Sequence, residues 1–252
     1  MTTENLTTRK ENAENRPVRI ISVFGLTEST TGEHLIKFKQ RFPQFKLGFR
    51  TKFPEIQVEL YAGGPDIDKL KDSMADAVRW VCRKLGNHVL SDTGQSMEQV
   101  VGMLLHEKNA TLAVAESCTG GLIANLLTDV PGSSDYFLIS AVTYANQAKI
   151  KILDVKAETL ARNGAVSEQT ASEMACGAKN IVDATYGLAT SGVAGPGGGT
   201  EDKPVGTVCI GLATPLSITG HRFNFAHHNR RMNKHIFALT ALDLLRKELL
   251  RA

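Results

Sequence analysis

Apolar and polar positions follow two different rhythms along this chain. From Val18 the run VRIISVF reads as a strand, and turn residues occupy Gly25 to Thr31. EHLIKFKQRF then places Leu35, Ile36, Phe38 and Phe42 at helical spacing. FKLGFRT and PEIQVELYA are predicted strands, the second with Ile56, Val58 and Leu60 alternating with polar residues. After GGPD, the amphipathic stretch IDKLKDSMADAVRWVCRKLG predicts a helix stopping at Gly86, and a short HVL follows. The order β-α-β-β-α-β predicts a small α+β module, split βαβ and ferredoxin/KH-like, over residues 17–92.

A polar link, Ser91 to Gly94, precedes the change of rhythm. Ser96 and Gln99 form a capping-box pattern that opens the helix SMEQVVGMLLHEKN. A strand TLAVAES, a helix TGGLIANLLTDV, a turn at PGSSD and a strand FLISAVTY come next. Two helical stretches are predicted after it, the second being SEQTASEMACGAKNIV. The strand YGLATS, the loop GVAGPGGGTEDKP, the strands VGTVCIGLAT and ITGHRFNF, and a long helix from about Asn229 complete the chain. Strands alternating with helices predict a layered α/β domain over residues 95–252.

Composition excludes several classes of function. The chain is 42% hydrophobic and 22% charged, and no apolar run approaches the roughly 18 residues of a membrane span. Residues 1–16 are polar, without the apolar core of a secretory signal, and are expected to be a disordered leader. Cys82, Cys118, Cys176 and Cys209 form no CxxC pair, which predicts reduced thiols in a cytoplasm. The seven histidines include one adjacent pair, His227–His228, and no metal site is expected. Residues 1–92 hold 15 Lys/Arg against 12 Asp/Glu, and the remainder is balanced at 14 and 14. An excess of three is too small for a nucleic-acid stripe. The first module also lacks a G-x-x-G clamp and an aromatic RNP-like run.

The stretch AVAESCTGGLIANLLTDV (113–130) carries the first candidate chemistry. A serine is a weak nucleophile unless a base takes its proton. At a strand end before a helix, its side chain projects from a tight turn, and the following N–H groups can face an oxyanion. Gly120 and Gly121 leave that backbone open to a substrate. The motif is not G-x-S-x-G, and Glu, Ser and Thr are also ordinary capping residues, so the stretch alone reads more simply as a capped junction. Cys118 reads as a buried thiol in preference to a nucleophile. GVAGPGGGTEDKPVG is either a phosphate-wrapping loop or a surface connection; it is neither a Walker loop nor G-x-G-x-x-G. AVTYANQAK brings Tyr144, Asn146 and Lys149 close together in sequence.

Taken together, AESCTGGL (115–122), PGSS (131–134), VTYANQAK (142–149), GAVSEQTA (164–171) and SGVAGPGGGTEDKPVGTV (191–208) resemble the CinA C-terminal family. Characterised members of that family include bacterial nicotinamide-nucleotide amidohydrolases. The resemblance covers roughly residues 95–250, and residues 18–90 resemble the small module preceding this domain in full-length CinA proteins. Their larger molybdopterin-binding-like domain has no counterpart in this sequence, so its activity is not carried over. The resemblance implies a Ser/Lys dyad that deamidates nicotinamide mononucleotide to nicotinate mononucleotide and ammonia through an acyl-enzyme. Ser117 would be the nucleophile, Lys149 the general base, and Tyr144 a hydrogen-bonding aid within the dyad. Amides around Cys118 and Thr119 would bind the oxyanion. The turn residues Thr119, Gly120 and Gly121, together with Asn146, Gly192, Gly195, Gly197, Gly198 and Arg230, would contact substrate. It also implies no cofactor, a small-molecule nucleotide as partner, a homo-oligomer, and no membrane or nucleic acid. The family commonly reads F-x-G-D-R-x-x-x-R where this chain has FAHHNRRMNK (225–234), with Lys234 in place of the second arginine. The alternative reading is a catalytically silent interaction or regulatory protein linked to competence or DNA damage.

Overall fold

The computed structural model describes residues 19–62, 70–225, 227 and 229–251. The expected leader, Val18, the GGPD turn and His228 lie outside them. The chain divides into two compact units, Met1–Ser96 and Met97–Ala252.

The first unit is built from β1 (Arg19–Phe24), α1 (Glu28–His34), α2 (Phe38–Arg41), β2 (Phe45–Lys52), β3 (Glu55–Ala62), α3 (Lys71–Leu85) and β4 (Val89–Ser91). Its sheet runs β2-β3-β1-β4, with β1 antiparallel to both β3 and β4, which is the split βαβ order. Ile56, Val58 and Leu60 are buried in the core as expected, while Gln57 and Glu59 between them are buried as well, where alternation predicts exposure. The helix predicted over EHLIKFKQRF differs. It begins at Glu28, capped by the Thr27 hydroxyl, and breaks between His34 and Phe38, leaving Ile36 78% exposed. Leu35, Phe38 and Phe42 are still buried, and the rings of Phe38 and Phe42 pack tilted and edge-on against Trp80, with centroids 6.1 and 6.0 Å away. Spacing reports which positions reach a core; it does not report whether the backbone between them is one helix.

The second unit contains α4 (Met97–Glu107), β5 (Leu112–Glu116), α5 (Leu122–Thr128), β6 (Phe137–Val142), α6 (Asn146–Leu153), α7 (Ala157–Asn163), α8 (Glu168–Ile181), β7 (Tyr186–Gly192), β8 (Thr207–Ala213), β9 (Ile218–Asn224) and α9 (Arg230–Leu249). Three helices follow β6 where two were expected. Asp154 adopts a left-handed conformation that ends α6, Val155 turns into the core, and Ala157–Asn163 then forms a separate helix. The sheet order is β6-β5-β7-β8-β9, parallel across β6, β5 and β7 and antiparallel beyond. One side is covered by α8, whose backbone lies so close that a Cβ on Gly187 or Gly211 would strike the Ala175 or Ala171 carbonyl. Small residues therefore dominate this layer: Ala113, Ala115, Ala175, Ala178 and Ala189 are all buried in it. Parallel pairing brings the C-terminal ends of β5, β6 and β7 to one edge, the usual location of sites in such sheets.

Candidate active site

β5 ends on Glu116, and the chain then turns through Ser117 to Gly121 before α5. Glu116 is fully buried. Its carboxylate accepts from the N–H groups of Gly121 at 2.9 Å, Ile123 at 3.1 Å and Ala124 at 3.0 Å, and from the Ser140 hydroxyl at 3.1 Å. This caps α5 from the preceding strand. Gly120 and Gly121 both have positive φ, which lets the chain reverse tightly enough to bring those amides back onto Glu116. Sequence reasoning read Glu116 only as one capping residue among several. Its role as anchor of the whole turn needed the fold, because Ser140 comes from β6.

The turn is held from the other side by β7. Ser117 donates its N–H to the Thr190 carbonyl at 3.0 Å, and the Thr119 and Thr190 hydroxyls pair at 2.7 Å. Thr190 carries no signal in the sequence that would mark it. The expected oxyanion donors divide accordingly. The N–H of Gly121, a residue expected to contact substrate, is spent on Glu116. Among the described residues nothing accepts from the N–H of Thr119 or Gly120, so these two amides are open.

Lys149 lies in the first half of α6 and is 1% exposed. Its Nζ stands 3.1 Å from Ser117 Oγ, 2.8 Å from the Thr143 carbonyl and 3.2 Å from the Tyr144 carbonyl. Burial lowers its pKa from the ordinary 10.5. No carboxylate lies within ion-pair distance of it among the described residues. A neutral amine has two N–H donors and one lone pair. With both donors directed to the two carbonyls, the lone pair faces the Ser117 hydroxyl, as a general base requires. Cys118 is placed differently. Burial pushes its thiol up to about 12, so it stays protonated at neutral pH and is no competing nucleophile. Gly192 makes room for it: a Cβ there would stand 3.2 Å from Cys118 Sγ.

The rim departs from expectation at Tyr144. Its ring is 61% exposed, and its hydroxyl accepts from Arg230 Nη2 at 3.0 Å instead of bonding within the dyad. What Tyr144 contributes to Lys149 is its main-chain carbonyl. The same guanidinium donates from Nη1 to the Gly195 carbonyl at 2.6 Å, so Arg230 ties α9 to both the strand-end loop and the glycine-rich loop. Asn233, one turn on, donates to the carbonyls of Ala194 at 3.0 Å and His227 at 2.9 Å. Asn146 is exposed at the start of α6 and makes no side-chain hydrogen bond to Ser117 or Lys149. Gly197 and Gly198 lie farther along the glycine-rich loop, and no hydrogen bond ties them to Ser117. Among the described residues there is no group of three or more His, Cys, Asp or Glu side chains able to hold a metal, and no helix long and apolar enough to cross a membrane.

Comparison with known proteins supplies the family context. Residues 94–249 match the CinA C-terminal domain family. A CinA-like protein of Desulfosudis oleivorans is 52% identical over 232 residues, which is 92% of this chain and 56% of that protein. One from Desulforapulum autotrophicum is 54% identical over 92% of this chain and 55% of its own length. The chain thus spans about half the length of these curated relatives. Among solved structures, the competence/damage inducible protein CihA of Agrobacterium tumefaciens aligns with a TM-score of 0.59 at 37% identity, covering 61% of this chain and 93% of that one. A CinA superfamily protein of Klebsiella pneumoniae gives 0.59 at 30% identity, over 63% of this chain and 100% of the other.

Proposed function

The chain belongs to the CinA family, and from that premise we propose that it is a cytoplasmic amidohydrolase that converts nicotinamide mononucleotide to nicotinate mononucleotide and ammonia. The observation that carries this reading is the 3.1 Å approach of a buried, carboxylate-free lysine amine to Ser117 Oγ. Ser117 attacks the carboxamide carbon while its proton passes to Lys149 Nζ. The open amides of Thr119 and Gly120 take the negative oxygen of the tetrahedral intermediate. Lys149, now an ammonium, returns the proton to the departing nitrogen, and ammonia leaves an acyl-serine ester. A water that gives its proton to Lys149 then hydrolyses the ester, releasing nicotinate mononucleotide and regenerating Ser117. The pyridinium charge of the substrate also favours a neutral Lys149.

A catalytically silent interaction protein is the weaker reading. Burying an amine beside a serine without a carboxylate partner costs stability and is a usual feature of reactive sites. The test is ammonia and nicotinate mononucleotide release by the purified chain. Ser117→Ala and Lys149→Ala are expected to lower kcat by roughly a thousandfold or more. Equal turnover by all three proteins would overturn the dyad.

A further inference from the structure

Between His34 and Pro54 the chain carries Lys37, Lys39, Arg41, Lys46, Arg50 and Lys52 and no carboxylate, and all six cations are exposed. The other residues of 1–92 hold 9 Lys/Arg against 12 Asp/Glu, so the net charge of the first unit averages a strong polarity away. α2 leads directly into β2, an edge of the four-stranded sheet, and the basic run therefore follows one side of the unit. Among the described residues, Arg50 alone of the six has an ion-pair partner. A field of one sign along a sheet edge attracts a polyanion.

The pairing of β2 with β3 sorts the side chains. Lys46, Gly48, Arg50 and Lys52 share a face with their partners Tyr61, Glu59, Gln57 and Glu55, while Ile56, Val58 and Leu60 pack on the other face with the helices. Gly48 shapes the first of these faces. A Cβ there would stand 3.0 Å from Tyr61 Cε2, so the ring lies across the gap that Gly48 leaves between Lys46 and Arg50. Glu59 holds it there: its carboxylate accepts from Tyr61 Oη and, at 3.1 Å, from Arg50 Nε. That acid is 4% exposed and occupied by an arginine and a phenol, whereas Tyr61 is half-buried and the Arg50 side chain is 61% exposed with N–H donors to spare. On the β1 side the same face is covered, with Gly94 set against Ile20.

We propose that the β2–β3 side of this face binds single-stranded nucleic acid, with phosphates following Lys46, Arg50 and Lys52 and a base stacking on Tyr61. The row of cations spans about 20 Å of strand, long enough to meet several phosphates. Cations alone suit any polyanion, and the ring makes the choice. A single strand offers the faces of its bases to an aromatic side chain, whereas in a duplex the neighbouring pairs cover them. An acidic peptide would engage the cations and leave the ring idle. The face belongs to the first unit and does not depend on the chemistry of Ser117.

The test is fluorescence anisotropy of the full chain with a labelled oligothymidylate of about twelve nucleotides, a length within the usual range of single-strand sites. Three phosphate contacts predict that log K falls against log salt with a slope of about −2. Tyr61→Leu is expected to weaken binding about tenfold with that slope unchanged, and Tyr61→Phe to retain most of the affinity, since stacking needs the ring and not the hydroxyl. Lys46→Gln combined with Lys52→Gln should flatten the slope to about −0.7. No binding at about 50 mM salt, a duplex bound as tightly as the single strand, or an unchanged affinity in Tyr61→Leu overturns the proposal. Should Tyr61→Leu fail to fold, the duplex comparison and the slope of the double lysine variant decide, and an unchanged slope overturns it. Binding to phosphatidylserine vesicles that is lost in the double lysine variant, with the oligonucleotide left unbound, would make the face a membrane contact instead.

Discussion

The floor and the rim of the candidate site are built on opposite terms. On the floor, Glu116, Ser117, Lys149 and Thr190 are buried and joined by hydrogen bonds drawn from three parallel strand ends and α6. On the rim, Tyr144 and Arg230 are exposed and linked to each other and to a loop carbonyl. Buried polar groups must be satisfied or they destabilise the fold, so the floor has one geometry. Exposed pairs are cheap to rearrange, so the rim is not held to one geometry. The difference separates a rigidly held candidate centre from a surface free to rearrange around it.

Three measurements would sharpen or break this contrast. The largest effect is expected at Glu116. Glu116→Ala leaves three backbone N–H groups and the Ser140 hydroxyl without their acceptor, at about 1–3 kcal/mol for each group that water does not reach. A loss of at least about 3 kcal/mol in urea denaturation is expected, together with about a hundredfold lower kcat. A fully stable variant with normal kcat would show that the turn does not depend on this carboxylate.

A smaller effect should appear in pH dependence. Lys149 must be neutral to act as base, so turnover should rise with pH through its lowered pKa and fall away on the acid side. The folded chain releases this proton before the unfolded chain does. Between the lowered folded value and the ordinary 10.5 the unfolded state therefore binds more protons, and this group makes stability rise with pH. Cys118 acts in the opposite sense between 9.0 and about 12, because the folded chain keeps its proton longer. Comparing wild type with Lys149→Met isolates the lysine: wild type should gain stability relative to the variant as pH climbs toward 10.5. A difference independent of pH would mean that burial does not lower Lys149.

The smallest effect belongs to the rim. Tyr144→Phe removes one exposed hydrogen bond to Arg230 while leaving the main-chain carbonyl on Lys149. A change in kcat of no more than about tenfold is expected, since an exposed hydrogen bond contributes on the order of 0.5–1.5 kcal/mol at most. A hundredfold loss would place the Tyr144 hydroxyl in the chemistry after all.

Local order was legible wherever one segment decides the outcome. The alternation of Ile56, Val58 and Leu60 marks the inward face of a strand, and Asn229 caps α9 at the predicted start. The break at Leu35–Lys37 and the extra helix α7 were not legible, because contacts with segments elsewhere in the chain accompany them: Phe42 on Trp80 for the break, and Val155 and Leu160 clustered with Met174, Ala175 and Ala178 of α8 for α7. At the site, the residues of AESCTGG and VTYANQAK mark candidate chemistry, and resemblance alone proposes that Ser117 and Lys149 act together.

By itself, then, the sequence determined local features such as the inward set Ile56, Val58 and Leu60 and the start of α9 at Asn229, since period and capping are properties of neighbouring residues. The tertiary structure decided what each of them does. Parallel pairing of β5 with β6 and β7 places Lys149 against Ser117, gives Glu116 to the amides of α5, and turns the Tyr144 hydroxyl away to Arg230. Those outcomes depend on distance in space between segments dozens of residues apart, and periodicity along one chain carries no record of that distance.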